Sequence, residues 1–156
     1  MSPSKCRFGL REVEYVGHVI NEHGKTFSRE KLTKVAEFPR PKTQKQLKSF
    51  LGLANYFREH FSHHSTLVAP LNALCCDYRR SKVVDWSPEA IERFDLVKQK
   101  IADCQKLFWM DDDLPVFLHT DASDFGIGAY LFQVGPDGKE RPVHFLSKSF
   151  TDVQSR

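Results

Sequence analysis

The chain has 156 residues, of which 40% are hydrophobic and 28% are charged, so it can bury the core of one ordinary domain or two small ones. This composition excludes a wholly disordered chain. The sequence contains no run of about 18 apolar residues, which is the length that would predict a membrane-spanning helix. The first twelve residues lack the apolar stretch of a secretory signal. We therefore expect an intracellular protein, cytoplasmic or nuclear, with no targeting signal and no membrane partner.

The charge is unevenly distributed along the chain. Through residue 82 there are 15 Lys and Arg against 7 Asp and Glu, and the remaining residues carry 8 against 13. A basic half favours a polyanionic partner and an acidic half favours cations. Two solvated surfaces of opposite sign would explain the same asymmetry.

Short strands are predicted over residues 5 to 27, because aromatic or β-branched residues alternate there with polar ones. A hairpin is expected at Asn21 to Gly24. Ser28 is expected to cap a short helix over the segment REKLTKVAEF, which Pro39 and Pro41 bring to an end.

The next segment gives the strongest helix signal. Thr43 and Gln46 have the spacing of a capping box. At about 100° per residue, six apolar residues share one face: Leu47, Phe50, Leu51, Ala54, Phe57 and Phe61. A second set lies roughly 140° away, and we call it the basic face: Lys45, Lys48, Gly52, Asn55, Tyr56 and Glu59.

The basic face has the composition of a nucleic-acid contact. Lysines neutralise phosphates, Gly52 lets a backbone or sugar approach closely, and Tyr56 is able to stack on a base or pack on a sugar. The alternative is a solvated amphipathic helix whose tyrosine packs on a neighbouring element. Periodicity alone does not decide between the two.

The second half of the chain begins with two further helices and ends in strands. A short helix is predicted over STLVAPLNALCC, and Ser87 with Pro88 predicts the start of another. Three strands are expected at residues 116 to 121, 126 to 134 and 141 to 149, with a tight turn at the GPDG segment. The break between the two halves is placed at residues 105 to 115.

Histidines and cysteines occur close together in the middle of the chain, which suggests zinc. His60, His63 and His64 precede Cys75 and Cys76, but this spacing does not suit a tetrahedral site. We therefore predict surface histidines and reduced thiols, the latter also for Cys6 and Cys104.

Asp121 is the best candidate for catalysis. It ends a predicted strand and is followed by Gly126 and Gly128, an arrangement able to hold Mg²⁺ together with substrate phosphates. An ordinary aspartate that caps the turn is the alternative. The WMDDD segment at 109 to 113 is similar to polymerase metal motifs, but a helix precedes it and Pro115 follows, so a solvated loop is predicted there.

Taken in order, these segments resemble the reverse transcriptases of gypsy-like LTR retrotransposons. The resemblance covers nearly the whole chain and rests on EVEYVGHVI, GKTFSREKLTKVAEFPRPKTQKQLKSFLGLANYFREHF, APLNAL, WSPEAIERFDLVK, VFLHTDASDFGIGAYLFQ and RPVHFLSKSF. It implies an α+β fold in three parts. Residues 1–27 would be the end of the palm with a primer-grip-like hairpin, 28–105 a helical thumb with connecting helices, and 106–156 the truncated start of an RNase H-like domain with a three-stranded antiparallel sheet.

The resemblance also implies a nucleic-acid-binding surface for an RNA/DNA hybrid or a duplex template–primer. Part of it is the hairpin that grips the primer terminus, and part is the thumb helix that lies in the minor groove. The residues expected to bind nucleic acid are Tyr15, Gly17, His18, Lys45, Lys48, Gly52, Asn55 and Tyr56.

Asp121 matches the first metal-binding carboxylate of the family's RNase H domain, which uses Mg²⁺. The polymerase aspartates and the other RNase H acids are expected upstream and downstream of this chain. We therefore expect a fragment of an RNA-directed DNA polymerase with RNase H that is not catalytic alone and does not bind Mg²⁺ tightly alone.

Flanking polymerase and RNase H segments, or another protein chain, are the other expected partners. The alternatives are a retroelement-derived structural or protein-interaction module without catalysis, and an incomplete product without a role.

Overall fold

The computed structural model describes Cys6 and residues 8–75, 82–124 and 126–150. Cys76, and with it the predicted end of one helix, lies outside these residues. Over the described residues the fold is α+β, with four α-helices and two antiparallel sheets. In the part of the chain that the structure describes, no helix has the length and apolar character needed to cross a membrane.

The first sheet joins the start of the chain to its middle. Its strands lie in the order β1 Glu12–Tyr15, β2 His18–Asn21, β3 Gly24–Phe27 and β4 Leu107–Phe108. The hairpin predicted at Asn21 to Gly24 is confirmed. Strand β4 was not predicted, since residues 105 to 115 were expected to be a break. A strand of two residues is too short to show the alternation of apolar and polar residues from which strands are predicted. Its pairing with β3 is decided by the tertiary fold.

Local sequence signals explain the helices, which are α1 Arg29–Ala36, α2 Gln44–Tyr56, α3 His64–Ala73 and α4 Pro88–Ala102. The capping box of α2 is confirmed, because Thr43 Oγ1 accepts from the Gln46 N–H at 3.3 Å and Gln46 Oε1 accepts from the Thr43 N–H at 3.2 Å. Ser87 caps α4 through the Ala90 N–H at 3.2 Å. Ser28 precedes α1 as predicted, but its side chain makes no capping bond.

One hydrophobic core joins the four helices to β3. The predicted apolar face of α2 is buried in it, and the rings of Phe50 and Phe94 lie 4.6 Å apart. Trp86 packs on Phe94 and donates from Nε1 to the Pro41 carbonyl at 2.9 Å. Phe61 is buried as expected but is not part of α2, because the helix ends at Tyr56 and a short 3₁₀ turn follows, Arg58–His60.

Two of the three histidines at and after this turn are buried. His60 and His64 are 1% and 6% exposed, so the prediction of surface histidines is wrong for both and correct for His63. Desolvation lowers the pKa of His60 to about 4, although its Nδ1 lies 3.0 Å from the Gln105 carbonyl. Cys104 is a free thiol, as predicted.

The second sheet carries the strands β5 Val116–Ser123, β6 Gly126–Val134 and β7 Glu140–Ser149 in that order. Each predicted strand boundary is within two residues of the observed one. The turn at 135 to 138 closes through a hydrogen bond from the Gly138 N–H to the Gly135 carbonyl at 2.9 Å. The predicted solvated loop is also confirmed, since Asp111, Asp112 and Asp113 are all exposed.

Side chains of the second sheet hold it to the rest of the molecule. Gln133 is 1% exposed, and its Nε2 donates to the Asp111 carbonyl at 2.7 Å and to the Leu114 carbonyl at 2.9 Å. On β7, Ser147 Oγ accepts from the Ser65 N–H of α3 at 3.0 Å. The sheet therefore packs against the start of α3, while β5 is exposed along its whole length.

Candidate nucleic-acid interface and metal carboxylate

A tight turn brings the first hairpin onto helix α2. Val16 and Gly17 both have positive φ angles, of 51° and 77°, as a two-residue hairpin turn requires. A positive φ is unfavourable for a β-branched residue such as Val16. Its carbonyl accepts hydrogen bonds from the Tyr56 hydroxyl and from Lys31 Nζ, the latter at 3.3 Å. These two bonds hold the hairpin against α1 and α2.

Tyr56 therefore packs on a neighbouring element, which was one of the two readings that its sequence pattern allowed. Its ring lies 5.0 Å from His18 and 5.5 Å from Phe27. The ammonium of Lys31 sits 3.9 Å from the centre of the same ring. Burial raises the pKa of the Tyr56 hydroxyl. The tyrosine thus connects the hairpin to the helix instead of presenting a free ring to solvent.

The other expected contact residues of α2 form an exposed strip, consisting of Lys45, Lys48, Gly52 and Asn55. A Cβ atom built on Gly52 would have no heavy atom within 4 Å outside its own helical turn. Glu59, at the end of the basic face, is paired with Lys25 Nζ at 3.2 Å. The exposed strip is thus basic and has a gap at Gly52.

Tyr15, Gly17 and His18 occupy different environments at the hairpin. Tyr15 is 67% exposed, whereas Gly17 and His18 are half-buried. The side chain of Lys31 fills the space where a Gly17 Cβ would lie. His18 packs on Phe27 at 4.6 Å, and burial lowers the pKa of its imidazole. Of these three residues, only Tyr15 is exposed.

Asp121 lies on β5 opposite Gly128 and is exposed. It lines a cavity of about 430 Å³ that also touches His63, Tyr130 and Glu140. Nothing in the sequence indicates that His63 and Asp121 line one cavity, because only the packing of the sheet on the start of α3 brings their segments together. Among the described residues, no salt bridge involves Asp121.

The described residues do not complete a metal site around Asp121. Within the ranges that the structure covers, no group of three or more His, Cys, Asp or Glu side chains is placed to hold a metal ion. Mg²⁺ prefers near-octahedral oxygen coordination, and one exposed carboxylate does not supply it. Asp121 is thus accessible but insufficient by itself.

The sequence of this chain is similar to those of known proteins. Residues 86–156 match the family model of the RNase H-like domain found in reverse transcriptase. Over 154 residues, which is 99% of the chain, the sequence is 34% identical to the Transposon Tf2-3 and Tf2-4 polyproteins of Schizosaccharomyces pombe. The chain spans 11% of the length of these polyproteins.

Solved structures of the foamy viral protease-reverse transcriptase have the same fold. The complex with dsDNA aligns over 94% of this chain and 30% of its own, with a TM-score of 0.72 and 22% identity. The complex with an RNA/DNA hybrid aligns over 94% and 19%, with a TM-score of 0.70 and 23% identity. Together with this fold, the sequence matches support a reverse transcriptase and RNase H region of a retroelement polyprotein.

Proposed function

We propose that this chain binds the template–primer duplex in a retroelement reverse transcriptase, an RNA-directed DNA polymerase with RNase H. One observation carries the proposal: the exposed strip of Lys45, Lys48, Gly52 and Asn55 runs along a helix to which the hairpin is directly hydrogen-bonded. The foamy viral enzymes of similar fold were solved with dsDNA and with an RNA/DNA hybrid, which supports a duplex as the partner.

The chemistry of the strip suits contacts to a duplex backbone. Lysine ammonium groups bind phosphates regardless of the base sequence. The gap at Gly52 allows a sugar–phosphate chain to approach the helix closely. A polymerase must copy any sequence, so contacts that ignore base identity fit this role. Tyr56 acts indirectly by holding the hairpin in place.

The proposal is tested by titrating a labelled RNA/DNA hybrid at several salt concentrations. Lys45→Ala with Lys48→Ala should weaken binding and lower the slope of log affinity against log salt by about 2, since each phosphate contact contributes about 0.9. The matched control is Lys100→Ala with Lys139→Ala, which removes the same charge from exposed positions on α4 and beside the β6–β7 turn. The proposal is refuted if both pairs bind as the wild type does.

We also propose that Asp121 supplies one carboxylate to an RNase H metal site in the longer polyprotein. Bound Mg²⁺ would there activate water and stabilise charge on the scissile phosphate. In the full-length enzyme, Asp121→Asn should abolish cleavage of the RNA strand and leave DNA synthesis intact. Asp124→Asn, an exposed neighbour, is the matched control. RNA cleavage that persists in Asp121→Asn would contradict this assignment.

A protein-interaction module without catalysis is a second candidate, and one observation favours it. Strand β5 is an edge strand in the sheet described here, and Val116, Phe117 and Leu118 are 49%, 41% and 59% exposed. Exposed apolar edges promote strand pairing. Sedimentation of the purified chain separates the two candidates, because a monomer that binds duplex excludes the module.

A further inference from the structure

The turn that joins β1 to β2 is strained and is held in place by other elements. Val16 and Gly17 form it with φ angles of 51° and 77°, and a turn of this kind favours glycine, asparagine or aspartate. A valine at positive φ persists where neighbouring contacts impose that conformation. Here the Val16 carbonyl accepts from Tyr56 and Lys31, and the Gly17 carbonyl accepts from the Ser28 N–H at 3.4 Å. The docked position of the turn therefore depends on contacts with α1 and α2.

His18, the first residue after this turn, lies in a cluster of rings. Its ring centre is 4.6 Å from that of Phe27, 5.0 Å from that of Tyr56 and 5.9 Å from that of His60. Tyr56 belongs to both contacts, because its hydroxyl holds the turn and its ring packs on His18. A change in the charge of His18 therefore acts directly on the side chain that docks the turn.

A positive charge on His18 is unfavourable within this cluster. Its Nδ1 atom is buried and has no hydrogen-bond partner among the described residues. Protonation would leave a charged N–H there without an acceptor, which costs more than an unpaired neutral group. Burial is the main cause that lowers the pKa of the imidazole, followed by the charges of Lys25 and Lys31. Glu59 acts in the opposite sense, but its carboxylate is paired with Lys25 at 3.2 Å.

The other titratable groups described around His18 supply no neutralising charge. Two are phenols, Tyr15 opposite it on β1 and Tyr56 on α2, and phenols are neutral near pH 7. The third is His60 of the 3₁₀ turn, where burial lowers the pKa to about 4. Arg58 lines the same cavity of about 330 Å³ as His18 and carries a further positive charge. The docked turn therefore favours a neutral His18.

We propose that His18 is a pH-sensitive latch: a neutral His18 keeps the Val16 turn docked on Tyr56, and a protonated His18 releases the turn from α2. The strain at Val16 favours release once the ring cluster is weakened. The released form has the ordinary histidine pKa of 6.5 and the docked form a lower pKa. The released form therefore binds the proton first, and docking weakens as the pH falls below about 6.5. The latch does not depend on the proposed function, since it concerns contacts within the chain.

The latch is tested by amide hydrogen exchange of the wild-type chain at pH 7.5 and pH 5.5, with rates corrected for the intrinsic effect of pH. The Ser28 N–H, which donates to the Gly17 carbonyl, reports release of the turn. The amide of Val97, a buried residue of α4, reports global unfolding. Ser28 should exchange through a local opening at both pH values. The equilibrium constant of that opening should rise at pH 5.5 by up to about tenfold, the limit reached when the released form alone binds the proton.

Two variants of His18 and one of a neighbouring histidine assign the effect. His18→Gln removes the titrating group and should abolish the pH response of Ser28, and His18→Phe, which keeps a ring beside Phe27, should do the same. His60→Asn is the matched control and should keep the response. Tyr56→Phe should raise the opening constant about two- to tenfold at both pH values, as expected for the loss of one hydrogen bond.

The wild-type chain decides the question even if neither His18 variant folds. The midpoint of the Ser28 response should coincide with the titration of the His18 ring followed by NMR, and a different midpoint overturns the latch. Equal free energies of opening at Ser28 and Val97 overturn it as well, because the turn then opens only when the whole chain unfolds. A Ser28 response that is absent between pH 7.5 and pH 5.5, or that persists in folded His18→Gln, has the same consequence.

Discussion

Replacing Gly52 should raise the stability of the protein and weaken its binding to a duplex, so the replacement is a sharp test. Glycine in the interior of an exposed helix is about 0.8–1 kcal/mol less favourable than alanine. A Cβ at this position meets no heavy atom within 4 Å, so nothing opposes the full gain in helix propensity. Gly52→Ala should therefore raise the free energy of unfolding by about 0.8–1 kcal/mol, which corresponds to a rise in melting temperature of roughly 2–4 °C.

Duplex binding should change in the other direction. Gly52→Leu gains similar helix propensity, but its side chain fills the gap through which the strand approaches. Losing one charged phosphate contact costs about 1.5 kcal/mol, so affinity should fall about tenfold. Thermal unfolding and hybrid titration measure the two effects, and Gln99→Leu on the exposed side of α4 is the control for an added leucine. A Gly52→Leu variant that is more stable and binds with full affinity would show that α2 does not approach the duplex at this point.

Three further predictions concern the hairpin, the buried histidines and the second sheet. Tyr56→Phe should lower the free energy of unfolding by about 0.5–1.5 kcal/mol in denaturant titrations, because the hydroxyl that holds the hairpin turn is lost. The pKa of His60 is about 4 when folded against 6.5 when exposed, so the unfolded chain binds the proton first; stability should fall as the pH drops from 6.5 to 4, and less steeply in His60→Asn. Gly126→Ala should destabilise by about 1–3 kcal/mol, because its Cβ would lie 2.5 Å from a β7 carbonyl, whereas Gly128→Ala, with 3.9 Å to its nearest neighbour, should melt at the wild-type temperature.

Those parts of the fold that depend only on residues close together in the sequence were predictable from it. The capping box at Thr43, the proline start of α4 and the GPDG turn are each encoded within about four residues, so their signals survive without knowledge of the rest of the chain. The same holds for the strip on α2, since helical periodicity alone puts Lys48 and Gly52 on one face.

Features that depend on distant contacts were not predictable. Nothing near Leu107 indicates that it pairs with Lys25, and nothing near His64 indicates burial. Whether Tyr56 would contact a ligand or a protein neighbour depended on a hairpin turn 40 residues earlier.

The amino-acid sequence by itself determined the helices, the strands of the first hairpin and of the second sheet, and the resemblance to reverse transcriptases, because these follow from local periodicity and from residue order. Only the tertiary structure decided that the hairpin and α2 form one surface, that Asp121 lines a cavity, and that His60 and His64 are buried. The physical reason is that burial and hydrogen-bond partners are properties of residues that meet in space, and local sequence does not specify which distant residues those are.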